Sequence, residues 1–324
     1  MISRELMYQN HISKNTSKED ILDNLTFIIL TFNEEKNLPA CLESIQNLNA
    51  KVFAVDSFST DSTIDILEKY GVSYIQHPFE NYAKQRNWAQ ENNPYNTDWV
   101  FHLDAGERLT PALNKWFKYQ FDSDQREYQG YMFSRKTIFF NQWIKHGGHY
   151  PNFHLRLYRT SLGNCEEKVY DQHFVVNGNV KTVEKGVDII DTVADNLKDF
   201  TSSHARWAMF EAVELLSANK QKGEVKVDFW GTPIERRRWL KNNIFQKSPI
   251  FSRSLAYFFY RYFIKRGFLD GTVGLIFHFL QGFWFRFLVD AMVFEMKKKM
   301  KCQQLSLRQL IEKEYDPKLL QILE

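Results

Sequence analysis

The chain has 324 residues, 44% hydrophobic and 25% charged, with a formal net charge of +3. That balance excludes a disordered polar chain, and a charge so near neutral leaves no electrostatic footprint for nucleic acid. Three cysteines far apart (Cys41, Cys165, Cys302) supply neither a disulfide framework nor zinc-ligand spacing, which suits a reducing compartment.

Residues 1–24 form a polar segment of mixed charge, without the apolar run or small-residue cleavage site of a signal peptide, so a cytoplasmic protein is expected. From residue 25 strands and helices alternate. The short apolar run Leu25 to Leu30 suits a strand buried on both faces, and Leu38, Cys41, Leu42, Ile45 and Leu48 repeat at helical spacing. Lys51 to Val55 is a second strand ending on Asp56, and Asp61 is placed to cap a helix that runs to Tyr70 and stops at Gly71. Val72 to Gln76, Asn81 to Asn92 and Trp99 to Leu103 continue as strand, helix and strand, the last ending on Asp104. This rhythm predicts an α/β fold with a mainly parallel sheet and flanking helices.

Past residue 125 the alternation breaks. Tyr128 to Phe140 and Asn152 to Arg159 are predicted strands with no full helix between them, extending the sheet, and Phe174 to Val183 suggests a hairpin about Asn177-Gly178-Asn179. From Leu197 the chain reads as helical. The expected division is a polar segment over 1–24, a catalytic domain over 25–196 and a helical extension over 197–324.

Open α/β sheets bind ligands at the carboxyl ends of their strands. Glu34/Glu35, Asp56 and Asp104 all fall there, while G-x-G-x-x-G after the first strand and the P-loop signature are both missing. His146, His149 and His154 lie close together, but no cysteine or acid completes a zinc site at usual spacing. Arg156 alternates with Leu155 and Leu157 and so points away from them; Arg156 and Arg159 are candidates for a bound anion or a structural ion pair.

Four linked motifs, Ile29 to Glu35, Val55 to Thr63, Arg86-Asn87 and Leu103 to Glu107, resemble family-two glycosyltransferases of the GT-A (nucleotide-diphospho-sugar transferase) fold. Trp143 to Pro151, Leu155 to Arg159 and Arg266 to Gly271 extend the likeness to the lipopolysaccharide core subgroup, over roughly residues 25–295. The resemblance implies a nucleotide-sugar donor, a UDP-sugar foremost, and inverting transfer to a glycan or lipid-linked acceptor in envelope polysaccharide synthesis. Thr31 and Glu34 match residues lining the nucleotide pocket, Asp56 the acid that reads the base, and Arg86 a residue near the diphosphate. Lys84, two residues earlier, is read as a solvated helix charge. Asp104 matches the first acid of the D-x-D motif that binds Mg²⁺ or Mn²⁺, but Gly106 stands in place of the second. Glu107 and Asp191 are the remaining acids for a metal. Val169-Tyr170-Asp171 matches the family's V-H-E, which makes Asp171 the expected base, with Glu166 and Glu167 as rivals. The missing acid also keeps open a catalytically silent, nucleotide-sugar-binding scaffold.

Nine Lys/Arg against one acid fall between Glu235 and Arg266, and 15 of the 51 aromatics lie between Ile250 and Glu295. Basic charge beside aromatic bulk predicts a peripheral helix on an anionic membrane surface, with Arg236, Arg237, Arg238 and Lys241 expected outside the core. No spanning helix is predicted, because Thr272 to Phe294 contains His278, Gln281, Arg286 and Asp290.

Overall fold

The structure, a computed structural model, describes residues 22–194, 196–217 and 225–323; most of the polar N-terminal segment lies outside them. Twelve strands are described: β1 (Leu25–Thr31), β2 (Lys51–Asp56), β3 (Ser73–Gln76), β4 (Trp99–Asp104), β5 (Glu107–Leu109), β6 (Gly130–Phe139), β7 (Gln142–Trp143), β8 (Phe153–Arg159), β9 (Gly163–Cys165), β10 (Phe174–Val176), β11 (Val180–Thr182) and β12 (Asp188–Ala194). The apolar run of β1 lies between β2 and β4, parallel to both. Its alternate residues feed two cores. Phe27 and Ile29 pack with Leu42, Phe101 and Trp116 on one face, and Ile28 packs with Phe53, Val55 and Val100 on the other.

Helices cover both faces. α1 (Leu38–Ile45) buries Leu38, Cys41, Leu42 and Ile45, the stripe that its spacing predicts. α2 (Thr63–Lys69) follows a loop in which Asp61 accepts from the Thr63 amide. α3 (Tyr82–Glu91) is capped by Asn81, which accepts from the Lys84 amide, and α4 (Pro111–Tyr119) by Thr110.

The sheet order is β3-β2-β1-β4-β8-β6-β12-β5, with β7 and β11 also paired to β6. β8 runs antiparallel to β4 and β6, which makes the predicted mixed extension. The expected hairpin about Gly178 is not formed. β10 pairs with β9, and β11 runs parallel to β6, so the turn joins strands whose partners lie elsewhere.

From Leu197 the described residues form helices and no strand: α5 (Leu197–Leu216), α6 (Pro233–Leu240), α7 (Ser252–Phe259), α8 (Gly271–His278), α9 (Phe285–Gln303) and α10 (Leu307–Glu314). They dock on the sheet end through a shared core of Phe139, Ile144, Phe200 and Phe277. Asp270 accepts from the His146 amide (2.8 Å) and pairs with its ring at 2.6 Å. Gly147, at φ +68°, sets its bare α-carbon against the His278 imidazole, where a β-carbon would collide.

The stretch Gly267–Gln303 is one helix, long and apolar enough by length and composition to cross a membrane. The four polar residues named above within Thr272 to Phe294 nonetheless face the protein. His278 is buried, Gln281 bonds the His204 ring at 2.7 Å, Arg286 binds Glu211 at 3.0 Å and Asp290 binds Arg253.

Candidate active site

Strand register builds the first half of the site. Thr31 lies opposite Asp56, and Leu30 opposite Asp104, so the carboxyl ends of β1, β2 and β4 form one row. Asp56 is fully buried. It accepts from the Thr31 hydroxyl (3.0 Å), the Ser59 amide (2.9 Å) and hydroxyl, and the Gln76 amide group (3.0 Å). Four hydrogen bonds make this carboxylate an organiser of three strand ends and the loop after β2. Glu34 accepts from the Asn37 side chain (2.9 Å), and its own amide donates to Thr63 (2.8 Å). The loops after β1 and β2 are further locked by Asn33, at φ 55°, whose side chain accepts from the Thr60 amide. Phe32 and Phe58 stand on these loops, 58% and 51% exposed. Unpaired rings beside a buried acid suit stacking on a flat heterocycle, and sequence reasoning gave them no role.

The second half is a chain of alternating charge. Arg86 donates to one oxygen of Asp104 (3.1 Å) and Arg156 to the other (2.9 Å). The same Arg156 nitrogen reaches Glu107 at 2.6 Å, and the other Glu107 oxygen accepts from the Asp104 amide at 3.1 Å. Arg135 then lies 3.7 Å from Glu107 and 3.4 Å from Asp191. Desolvation in the cleft works against the Asp104 carboxylate, but Arg156 and Arg86 outweigh it and hold its pKa well below the ordinary range. Burial has the upper hand at Glu107, pushed up to about 7 with Asp104 adding to the rise.

A cavity of about 160 Å³ opens beside this chain, lined by Arg86, Asp104, Arg135, His154, Arg156 and Phe174 among others. Phe174 supports the Arg86 guanidinium with its ring at 5.1 Å. His154 lines this cavity and is held neutral by burial and by Arg135, Arg237 and Arg156. His146 and His149 lie apart from it, on Asp270 and on Thr137 and Arg261. Arg159 belongs to the other end of β8, stacked on Trp99 and donating to the Gln125 carbonyl. Lys84 pairs with exposed Glu80.

Among the rival bases, Glu166 is fully buried and gripped by Arg238 at 2.6 and 2.9 Å and by the His173 amide, so it is a structural acid. Glu167 is exposed. Asp171, at φ 55°, is half-exposed and precedes Gln172, His173 and Phe174 of the cavity wall. Lys241 binds it at 2.9 Å and overcomes desolvation to depress its pKa. Lys241 also reaches Glu211 at 3.2 Å. Arg236 and Arg237 are exposed, as expected, though Arg237 donates to the Phe153 carbonyl, whereas Arg238 and Lys241 are half-buried and held by Glu166 and by Asp171 and Glu211. Arg135 and Phe174 also escaped sequence reasoning. A single signal was available, an Arg-Lys pair inside the largely buried strand β6.

Residues 26–169 match the model of glycosyl transferase family 2. The match spans under half of the chain, and over it the chain is similar to a family-two glycosyltransferase domain. Its mostly parallel sheet with helices on both faces is the arrangement that the sequence resemblance predicts. An uncharacterized glycosyltransferase of Rickettsia conorii is 30% identical over 109 residues, 34% of this chain and 38% of the relative. One from Rickettsia prowazekii is 31% identical over 106 residues, 33% of this chain and 36% of the relative. The glycosyltransferase SunS of Bacillus subtilis is 27% identical over 93 residues, 28% of this chain and 22% of the relative. The chain thus matches well under half the length of these relatives. Among solved structures, S. aureus TarS 1–349 is 14% identical with a TM-score of 0.40, over 87% of this chain and 92% of that one. Glucosyl-3-phosphoglycerate synthase of Mycobacterium tuberculosis, solved with Mn²⁺, UDP and phosphoglyceric acid, is 14% identical with a TM-score of 0.28, over 38% of this chain and 47% of that one.

Proposed function

We propose that this chain transfers a sugar, with inversion, from a nucleotide-diphospho donor to a hydroxyl of a glycan or lipid-linked acceptor, and that it works in envelope polysaccharide synthesis at the inner face of the membrane. The observation that carries the reading is the row Thr31, Asp56 and Asp104 at adjacent strand ends of a family-two domain. A UDP-sugar is the donor expected first. The loops after β1 and β2 take the nucleoside, and the arginines about Asp104 take the diphosphate. Asp171 accepts the acceptor's hydroxyl proton while that oxygen bonds to the anomeric carbon. The bond from that carbon to the diphosphate breaks, and the nucleoside diphosphate leaves with the electron pair.

Peripheral membrane association is part of this reading. It rests on inward-facing His278, Gln281, Arg286 and Asp290 and on the apolar side chains left outside, Leu275, Phe279, Phe287 and Phe294 among them. A second reading, a silent nucleotide-sugar-binding scaffold, is favoured by Gly106 alone. Incubation with a panel of UDP-sugars, GDP-mannose and a membrane extract as acceptor source, followed by mass spectrometry of released nucleotide and glycan, separates the two. The enzyme releases nucleoside diphosphate in step with product. Binding without any release would leave the scaffold.

A further inference from the structure

The acids near the donor row do not fit a divalent metal. A hard cation takes several oxygens at once, usually carboxylate and phosphate together. Here both oxygens of Asp104 already carry guanidiniums, Gly106 offers none, and Asp191 faces Arg135. Among the described residues, no group of three or more His, Cys, Asp or Glu side chains is placed to hold a metal ion. Space is not the reason. A β-carbon on Gly106 would meet only the Thr192 carbonyl, at 3.8 Å.

Arg156 has not merely swung into a vacant metal position. It is 4% exposed, held from below by Glu107 at 2.6 Å, and fixed in place by the antiparallel register of β8 on β4, in which Leu157 lies opposite Phe101. Residues lining the cavity in front of it carry unsatisfied polar atoms. Arg86 Nε and His154 Nε2 are both buried without a hydrogen-bond partner, Arg135 Nε has only its ion pair with Asp191 at 3.4 Å, and all three residues line the same cavity. Buried polar groups left open in this way mark the place of a missing partner. Each guanidinium carries five donors and spends only part of them on acids here, so spare N–H groups remain for an anion.

We propose that Arg86 and Arg156, with Arg135 behind them, hold the donor's diphosphate and offset the charge that grows on it as it leaves, so that transfer needs no divalent cation. This rests on the donor reading above. It gives Asp104 a changed role, that of spacing and orienting two arginines. Preorganised guanidiniums supply the same kind of stabilisation as a metal, directed at developing charge on phosphate oxygens.

Calorimetric titration of the full chain with UDP and with GDP, each in EDTA and again in Mn²⁺, tests this. The expected result is an affinity that changes less than threefold between EDTA and Mn²⁺, and that falls tenfold or more in EDTA for Arg86→Gln. Arg156 is buried and its loss endangers folding, so Arg135→Gln serves as the second variant, with a fall of threefold or more expected. Binding that rises tenfold or more with Mn²⁺ would overturn the arginine clamp and leave the donor reading standing. Unchanged affinity of a folded Arg86→Gln would also overturn the clamp. No binding of either nucleotide in either condition would sink the donor reading and the clamp with it.

Discussion

Asp171 is the residue on which the chemistry turns, and its neighbours decide how it behaves. A left-handed backbone angle aims its carboxylate at Lys241, and Lys241 is shared with Glu211, which also binds Arg286. The base candidate is therefore wired to α5, to the residue that follows α6 and to α9. Its depressed pKa keeps it ionised well into acid, so the acid limb of kcat/KM is expected below the ordinary carboxylate range. Lys241→Met takes away the opposite charge, which raises the Asp171 pKa, so the acid limb should move up in pH while the basic limb stays. Asp171→Asn keeps shape but cannot take the proton, and turnover should fall about 10²–10⁴-fold at unchanged UDP affinity. Rate profiles and calorimetry on the two variants check this. A folded Asp171→Asn protein with near-normal turnover would hand the role to Glu167 or Asp191.

Among the elements, the joint between α7 and α9 shows how the helical part holds itself together. Arg253 and Asp290 are both buried and bonded to each other, and Asp290 also accepts from the Phe251 amide, at φ 68°, and from Ser254. Removing one partner strands the other charge. Arg253→Met should therefore cost about 3–5 kcal/mol, read as a lower urea midpoint at unchanged slope. A loss under about 1 kcal/mol would mean that Asp290 finds water or another donor. This pair was invisible in the sequence, because its members lie 37 positions apart in a chain full of basic residues. Other elements were legible for equally physical reasons. Strands β1, β2 and β4 have continuous apolar runs because the sheet covers both their faces, and acids placed at their ends are carried into one row by register. Strands β9, β10 and β11 are three residues each, too short for any period to show, and their pairing is set by distant segments. The turn at Gly178 was visible, but its consequence was not. Arg86 was legible through motif order, whereas Arg135 and Phe174 join the site only once β6, β9 and β10 are in place.

On the scale of the whole molecule, the distribution of polarity is inverted along one flank. The helix Gly267–Gln303 turns Arg286 and Asp290 inward, while Phe258, Phe283, Phe287, Phe251 and Phe294 meet ring to ring, tilted or edge-on, in a continuous ladder whose last ring is 55% exposed. Nearby, Phe263 and Ile264 are exposed beside Lys265 and Arg266, and Lys247 is exposed beyond α6. A contiguous apolar surface with a basic fringe suits shallow insertion into an anionic leaflet. Crossing the bilayer would instead pull α9 away from the protein partners of Arg286 and Asp290, at a high desolvation cost. Arg238 and Lys241 are unsuited to a charge-reversal test, since each is paired with an acid of the fold, and exposed Arg237 holds the Phe153 carbonyl. Lys247, Lys265 and Arg266 are better placed. Reversing all three should leave the protein folded and remove attraction of about 1 kcal/mol per charge near an anionic surface. Flotation with phosphatidylglycerol vesicles should drop at 50 mM salt, and high salt should reproduce part of that loss in the wild type, because exposed charges are screened within about 10 Å at 0.1 M. Phe263→Ser with Ile264→Ser should reduce flotation even at high salt, since burial of apolar area is not screened. Equal flotation of wild type and the reversed variant on anionic and neutral vesicles would remove the electrostatic part. A wild type that never floats but sediments as a dimer would make the ladder a seam between two copies of the chain.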